Sequence, residues 1–220
     1  MHIILYGGGL DSTALFLFLN RHYRFTRQLN PIELLHVAYG QKAALAERHV
    51  GQYFADKYGA KFTQHYIDMS YSKSSIMRNT AIGDADSNRL ELRNLLLISF
   101  AASYAASKYE WANIHVGFHA KPEGRGFPDA RSGYLQGLQD VIKQTTDTPI
   151  KLEALFKDLT RQEILEFGYN LDKEIITHSH TCYEEVPCGK CVHCVEKRKM
   201  VDTLLWKKEI EIRNGDKHAS

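Results

Sequence analysis

The chain opens on an apolar run, Met1-His2-Ile3-Ile4-Leu5-Tyr6, that stops at Gly7-Gly8-Gly9, after which Leu10-Asp11-Ser12-Thr13 begins a helical stretch to about Asn20. A short strand feeding a glycine turn and then a helix cannot hairpin back. The next strand has to return parallel to the first, with the helix packed on the sheet. The pattern continues in that rhythm. Ile32–Ala38 reads as a second strand, 42–57 as a helix with Ala44, Leu45, Val50 and Phe54 as its apolar residues, and 62–67 as a third strand. From 70 to 90 the periodicity dissolves into Ser, Asn, Asp and Gly, which reads as a mobile loop or an insertion. A long helix is expected over 93–107, a strand over 114–117, a loop over 121–128, a helix over 132–143 and a short strand over 148–152. Thr160-Arg161-Gln162-Glu163 has the spacing of a capping box and predicts another helix. A charged helical tail ends in a polar, frayed 214–220. We expect one α/β body over 1–177, a parallel sheet with helices on both faces, and a cysteine-bearing segment with its helix over 178–220.

Composition narrows the class. With 220 residues, 44% hydrophobic and five prolines, the chain is neither collagenous nor disordered and can bury a sizeable core. A net charge of +2 gives no electrostatic footprint for nucleic acid or an anionic membrane. Apolar runs such as 95–102 fall far short of a membrane span, and the N-terminus lacks the basic region and cleavage site of a signal peptide. A soluble, cytoplasmic protein with no membrane partner is the expectation.

The glycine turn carries the first chemical signal. Glycines let successive backbone N–H groups converge on one anion, and the helix that follows adds its positive end. Ser12 and Thr13 bring hydroxyls, and Asp11 suits a helix cap. There is no Gly-Lys-Ser/Thr and no Gly-x-Gly-x-x-Gly, so neither a Walker loop nor a dinucleotide fingerprint is present. A tight turn without a ligand would look the same.

All four cysteines, Cys182, Cys188, Cys191 and Cys194, fall within thirteen residues. Their short gaps let four thiolates meet at one tetrahedral centre, and a closed four-sulfur shell favours one structural Zn²⁺. His178, His180 and His193 leave a mixed Cys/His set as a competitor, and an iron–sulfur cluster as a weaker one.

Gly7-Gly8-Gly9-Leu10-Asp11-Ser12 resembles the Ser-Gly-Gly-x-Asp-Ser pyrophosphate loop of the ATP pyrophosphatases, which have the adenine-nucleotide α-hydrolase-like fold. Together with Cys-Tyr-x3-Pro-Cys-Gly-x-Cys-x-x-Cys it resembles the 7-cyano-7-deazaguanine (preQ0) synthase family of queuosine biosynthesis. Tyr39-Gly40-Gln41, Arg93-Asn94, Phe127-Pro128-Asp129-Ala130-Arg131 and Leu159-Thr160-Arg161-Gln162-Glu163-Ile164 resemble further motifs of that family in the same order. Five positions depart from it. Gly7 replaces a serine, Ala43 a histidine, Arg161 a lysine, and His180-Thr181 a Trp-Ser pair. Glu123 is the candidate for an acid that the family carries before the Pro-Asp motif.

The resemblance implies a reaction. ATP activates the carboxylate of 7-carboxy-7-deazaguanine as an adenylate, ammonia displaces AMP to give an amide, and a second activation dehydrates the amide to the nitrile. It implies ATP at Gly7, Gly8, Gly9, Leu10, Asp11, Ser12, Thr13 and Tyr39, catalysis by Asp11, Ser12 and Arg161, and substrate contacts from Gln41, Arg93, Asn94, Phe127, Asp129 and Arg131. Mg²⁺ would accompany ATP. Tyr39 stacks on a base or simply ends a strand, and Gln41 faces the nucleotide or caps the next helix. Arg93 sits against the helix dipole, which invites a functional partner. Lys121 and Arg125 read as solvated surface, His36 and His115 as core histidines, and Phe100, Tyr104 and Trp111 as core.

Other readings stay open at this point. The divergence allows an enzyme that stops at the amide, or one that joins the deazaguanine to an amine of a protein partner, as relatives in antiviral defence operons are thought to do. A tRNA thiolase would need a sulfur-carrying cysteine, but the reading above commits all four to metal. A non-enzymatic zinc module for nucleic acid lacks the basic stripe it would need. The sequence leaves a homodimer open.

Overall fold

The computed structural model describes residues 1–26, 31–77, 90–119 and 132–215. Five strands, β1 His2–Leu5, β2 Ile32–Ala38, β3 Lys61–Tyr66, β4 Ala112–His115 and β5 Ile150–Glu153, pair in parallel in the order β3-β2-β1-β4-β5. The helices are α1 Leu10–Phe25, α2 Ala44–Tyr58, α3 Arg93–Lys108, α4 Ser132–Thr145, α5 Arg161–Leu171, α6 Ile175–His178 and α7 Val192–Gly215.

Neighbouring residues of a strand point to opposite faces, so Ile3 and Ile4 serve different cores. Ile4, Tyr6 and Leu34 pack with Leu15 and Phe16 of α1, Phe54 of α2, Ile164 and Leu165 of α5 and Ile175 of α6. On the other face Ile3, Leu35, Val37 and Ile114 meet Ala101 and Ala105 of α3 and Ile142 of α4. Every residue of β2 is buried, as expected of an inner parallel strand covered on both sides. Its one acid, Glu33, accepts from Thr63, Tyr104 and Tyr109 and pairs with Lys61, so the charge is not left bare in the core.

Strand order gives the site its address. The chain moves outward from β1 to β2 and β3, then returns to the other side of β1 for β4 and β5. The crevice between β1 and β4, beyond their carboxyl ends, is the topological switch point where parallel α/β sheets bind ligands. The glycine turn lies there.

Several expectations shift. Helix α1 runs five residues past Asn20, because His22, Tyr23 and Arg24 continue it on a half-solvated face. Strand β4 starts two residues earlier than expected, where Ala112, the first strand residue, is already fully buried. Strand β5 occupies 150–153 instead of 148–152. Helix α6, a single turn, has no periodicity to reveal it. Trp111 is exposed, not core. The capping box forms, with Thr160 and Glu163 satisfying each other's backbone N–H groups. His36 and His115 are buried as expected. No helix among the described residues is long and apolar enough to cross a membrane. The loop around Lys121, Glu123, Arg125, Phe127, Asp129 and Arg131 lies outside the described residues.

Candidate active site and metal centre

The glycine turn is held from three sides. Gly8 has φ +66°, and a Cβ there would lie 2.8 Å from the Cα of Glu47 in α2. It is therefore glycine for both a left-handed backbone and a close helix approach. Gly117, just after β4, passes so near that a Cβ would stand 3.1 Å from the Ser12 nitrogen. From the cysteine segment, the His180 N–H donates to the Gly8 carbonyl at 2.8 Å. Gly7 differs, because a Cβ there would meet nothing within 4 Å.

Two details of the turn differ from the sequence reading. Gly9, not Asp11, is the N-cap of α1, and the Ser12 hydroxyl donates to the Gly9 carbonyl at 3.2 Å. Asp11 is instead in the first turn, where its charge suits the helix dipole. Thr13 is fully buried, with its hydroxyl bonded to the Tyr6 phenol at 2.8 Å and its N–H given to the Gly9 carbonyl at 3.1 Å. Either oxygen of the Tyr6–Thr13 pair can be the donor.

Arg161, at the first position of α5, reaches the same place. Its Nε stands 3.7 Å from Asp11 Oδ2, and its Nη1 donates to Glu196 at 2.9 Å and approaches His193 Nδ1 at 3.5 Å. His193 Nε2 in turn meets the Tyr183 hydroxyl at 2.8 Å. Asp11 Oδ1 and Arg161 Nε are buried and have no hydrogen-bond partner among the described residues. Buried polar atoms are ordinarily satisfied, so an orphaned acceptor and an orphaned donor beside a glycine cradle mark a place built for a ligand.

The carboxyl end of β2 supplies the other wall. Tyr39 is buried against Met69, Ile76 and Met77, and its N–H donates to Gln41 Oε1 at 2.7 Å. The Gln41 amide donates to Glu47 Oε2 at 2.7 Å, so Gln41 locks the turn into α2. Burial raises the Glu47 carboxyl to about 7, with Gln41 and the Arg93 charge pulling the other way. Arg93, entered through the left-handed Leu92 (φ 57°), also bears on the phenols of Tyr39 and Tyr183 and holds the Asn94 side chain at 3.3 Å. Lys42 pairs with Glu184 of the cysteine segment at 3.3 Å.

The four thiols form a candidate metal centre. Their sulfurs lie within 4.8 Å of one another, and Cys182 and Cys191 are 4.0 Å apart. Metal–sulfur bonds of ~2.3 Å in a tetrahedron require about 3.8 Å between sulfurs, so the group fits a single ion. The N–H groups of Glu184 and Cys188 point at Cys182 Sγ at 3.4 and 3.3 Å, and that of Cys191 at Cys188 Sγ at 3.4 Å. Backbone donors, those of Lys190 and Cys191, bring the Cys188 thiol down to about 6, while burial pushes Cys182 up to about 12. The histidines are engaged elsewhere, which removes the mixed Cys/His set. His178 stacks on Tyr53 and His180 Nε2 meets the Glu184 carbonyl, while His193 serves Tyr183 and Arg161.

The crevice thus gathers Gly7, Gly8, Gly9, Asp11, Ser12 and Arg161 on one side and Tyr39, Gln41, Arg93 and Asn94 on the other, while Leu10 is fully buried in the core. Glu47, Gly117, Tyr183, His193 and Glu196 were not singled out from sequence as parts of this site. Glu47 follows the Tyr-Gly-Gln motif by less than two helical turns, which is the signal that could have found it.

Known proteins resemble this chain in sequence and fold. The family model for queuosine biosynthesis protein QueC matches residues 1–204. The chain is 26% identical over 225 aligned residues to the 7-cyano-7-deazaguanine synthase of Pyrococcus furiosus, covering 90% of each. It is 25% identical to that of Methanocaldococcus jannaschii, covering 90% of this chain and 92% of the relative. To that of Haloarcula marismortui it is 29% identical, covering 87% and 86%. Among solved structures, the U34-tRNA thiolase NcsA from Methanococcus maripaludis with its [4Fe-4S] cluster superposes with a TM-score of 0.54 at 14% identity. The match covers 92% of this chain and 65% of the thiolase, a likeness of fold.

Proposed function

Since the chain belongs to the queuosine biosynthesis protein QueC family, we propose that it is an ATP-dependent C–N ligase that converts 7-carboxy-7-deazaguanine and ammonia to 7-cyano-7-deazaguanine. The observation that carries the reading to this chain's own residues is the orphaned pair, Asp11 Oδ1 and Arg161 Nε, at the mouth of the glycine cradle. A carboxylate is a poor electrophile at neutral pH, and transfer to AMP turns its oxygen into a leaving group. The enzyme then has to hold pyrophosphate, stabilise charge on oxygen and keep water out.

Gly7, Gly8, Gly9 and Ser12 suit the phosphates, with α1 aimed at them. Arg161 supplies a planar cationic fork beside Asp11. Mg²⁺ would travel with ATP. Tyr39, Gln41, Arg93 and Asn94 would receive the deazaguanine from the β2 side. Phe127, Asp129 and Arg131 complete that assignment from sequence alone. The thiol group would hold Zn²⁺ as a structural ion. A cubane cluster binds its cysteines to four different irons and spreads them apart, whereas these sulfurs crowd around one centre. Four thiols and a need for ATP both suit a reducing cytoplasm.

The test is direct. Pure protein given ATP, 7-carboxy-7-deazaguanine and ammonia should form AMP and the nitrile, followed by mass spectrometry of small molecules and protein. An amide end product, or a protein adduct of the kind expected of an antiviral conjugating enzyme, would replace the nitrile assignment. Absence of substrate-dependent pyrophosphate exchange would overturn the ligase itself.

A further inference from the structure

Among the described residues, four carboxylates stand around the crevice. Asp11 faces Arg161 at 3.7 Å, Glu196 faces Arg161 at 2.9 Å and Glu184 faces Lys42 at 3.3 Å. Glu47 hydrogen-bonds to the neutral amide of Gln41 at 2.7 Å, and the Arg93 charge acts on it as well. Its backbone is packed directly on Gly8, and its side chain ends at the residue that locks the Tyr39–Gln41 turn. Glu47 therefore lies between the cradle assigned to phosphate and the wall assigned to the deazaguanine. An acyl adenylate stretched from one to the other carries its carbonyl between them.

Ammonia reaches this point mostly as ammonium at neutral pH, and ammonium has no lone pair. We infer that Glu47 is the proton acceptor that binds ammonium and releases ammonia onto the acyl adenylate. The inference rests on the ligase reading above. One ammonium proton passes to the Glu47 carboxylate, and the freed lone pair forms the C–N bond at the acyl carbon. The bond from that carbon to the phosphate oxygen breaks, AMP leaves with the electron pair, and the surplus proton on nitrogen goes to AMP or water. A carboxyl raised to about 7 by burial is suited to both binding the cation and taking its proton.

The experiment separates the nucleophile from activation. In Glu47→Gln, ammonia-dependent amide formation should fall by about 100-fold relative to substrate-dependent ATP–pyrophosphate exchange by the same protein. The variant's amide rate should follow the free ammonia concentration alone as pH rises. Hydroxylamine is largely unprotonated at pH 7 and needs no base, so hydroxamate formation by the variant should keep its wild-type ratio to exchange. Equal losses with both nucleophiles, or no loss with ammonia, overturn the assignment. If Glu47→Gln does not fold, Glu47→Asp is run in the same comparison, where a shorter carboxylate should cost ammonia but not hydroxylamine. Wild-type protein without exchange would sink the ligase reading itself, a different failure from a variant that merely keeps its ammonia rate.

Discussion

The backbone N–H of His180 donates to the carbonyl of Gly8 at 2.8 Å, joining the residue two before the first cysteine to the centre of the glycine turn. The contact makes the metal centre a support of the crevice as well as a clasp for its own segment. Lys42–Glu184 and Arg161–Glu196 add two further ties to the same segment.

Metal removal should therefore weaken ATP binding as well as stability. Chelation, or Cys188→Ser, should release one zinc per chain by elemental analysis. ATP affinity measured by calorimetry on protein that keeps its helical circular dichroism should fall by about tenfold or more, the size of ~1.4 kcal/mol. Unchanged affinity in metal-free folded protein would show that the His180–Gly8 contact does not couple the two sites.

Gly7 and Gly8 should behave in opposite ways. Gly8→Val would drive a branched side chain into the Glu47 backbone at a left-handed position, so the variant should lose the fold, not only ATP. Gly7 faces open space, so Gly7→Ser should leave the melting temperature within a degree or two and Gly7→Asp should do nearly the same. A carboxylate at that position would repel phosphate, and Gly7→Asp should bind ATP much more weakly. A Gly8→Val protein with wild-type stability would refute the packing argument.

Sequence periodicity located the strands because inner parallel strands are short apolar runs, and β2 carries its whole length buried. It missed α6, whose single turn is set by the Asp172–Glu174 corner and not by an apolar stripe. The glycine turn was legible because its chemistry is local. Who packs on it was not. Glu47, Gly117 and His180 come from three distant parts of the chain and are brought together only by the strand order. The cysteine spacing named four ligands, but it could not say that the nearby histidines are occupied with Tyr53, Tyr183 and the Glu184 carbonyl.

Acid should destabilise the protein through the opposite end of the sheet. His2 Nδ1 lies 3.0 Å from both His115 Nε2 and the Tyr23 hydroxyl, under Trp111, and His115 Nδ1 lies 3.3 Å from Glu153. Burial lowers both histidines to about 4, against the favourable charge of Glu153, with the Met1 amine and Lys151 adding to the depression. In the unfolded chain each would take a proton near pH 6.5. Between 6.5 and about 4 the unfolded state thus binds more protons, and stability falls as pH falls through that window and levels off below it. Urea unfolding at pH 7.5 and 5 should show the drop, and His115→Gln should flatten it. A wild-type stability independent of pH across that range would contradict the burial account.

Arg161 should matter more to the rate than to ATP binding. Its guanidinium already has Glu196 as a partner, and its Nε stays unsatisfied beside Asp11, so the fork is held in place before any ligand arrives. Preorganised charge of that kind acts most strongly on charge that develops during reaction, here on the phosphate oxygens as pyrophosphate or AMP departs. Arg161→Ala should lower kcat by about 100-fold while KM for ATP moves by only a few-fold, the pattern of an interaction made mainly in the transition state. It also leaves Asp11 and Glu196 without their cation, so its melting temperature should be checked alongside. Arg161→Lys keeps a cation at that position but gives one point donor in place of a fork. Because a lysine cannot contact Glu196 and the Asp11 side at once with fixed geometry, it should recover part of kcat and not all. A large rise in KM with kcat unchanged would make Arg161 a ground-state binding residue instead.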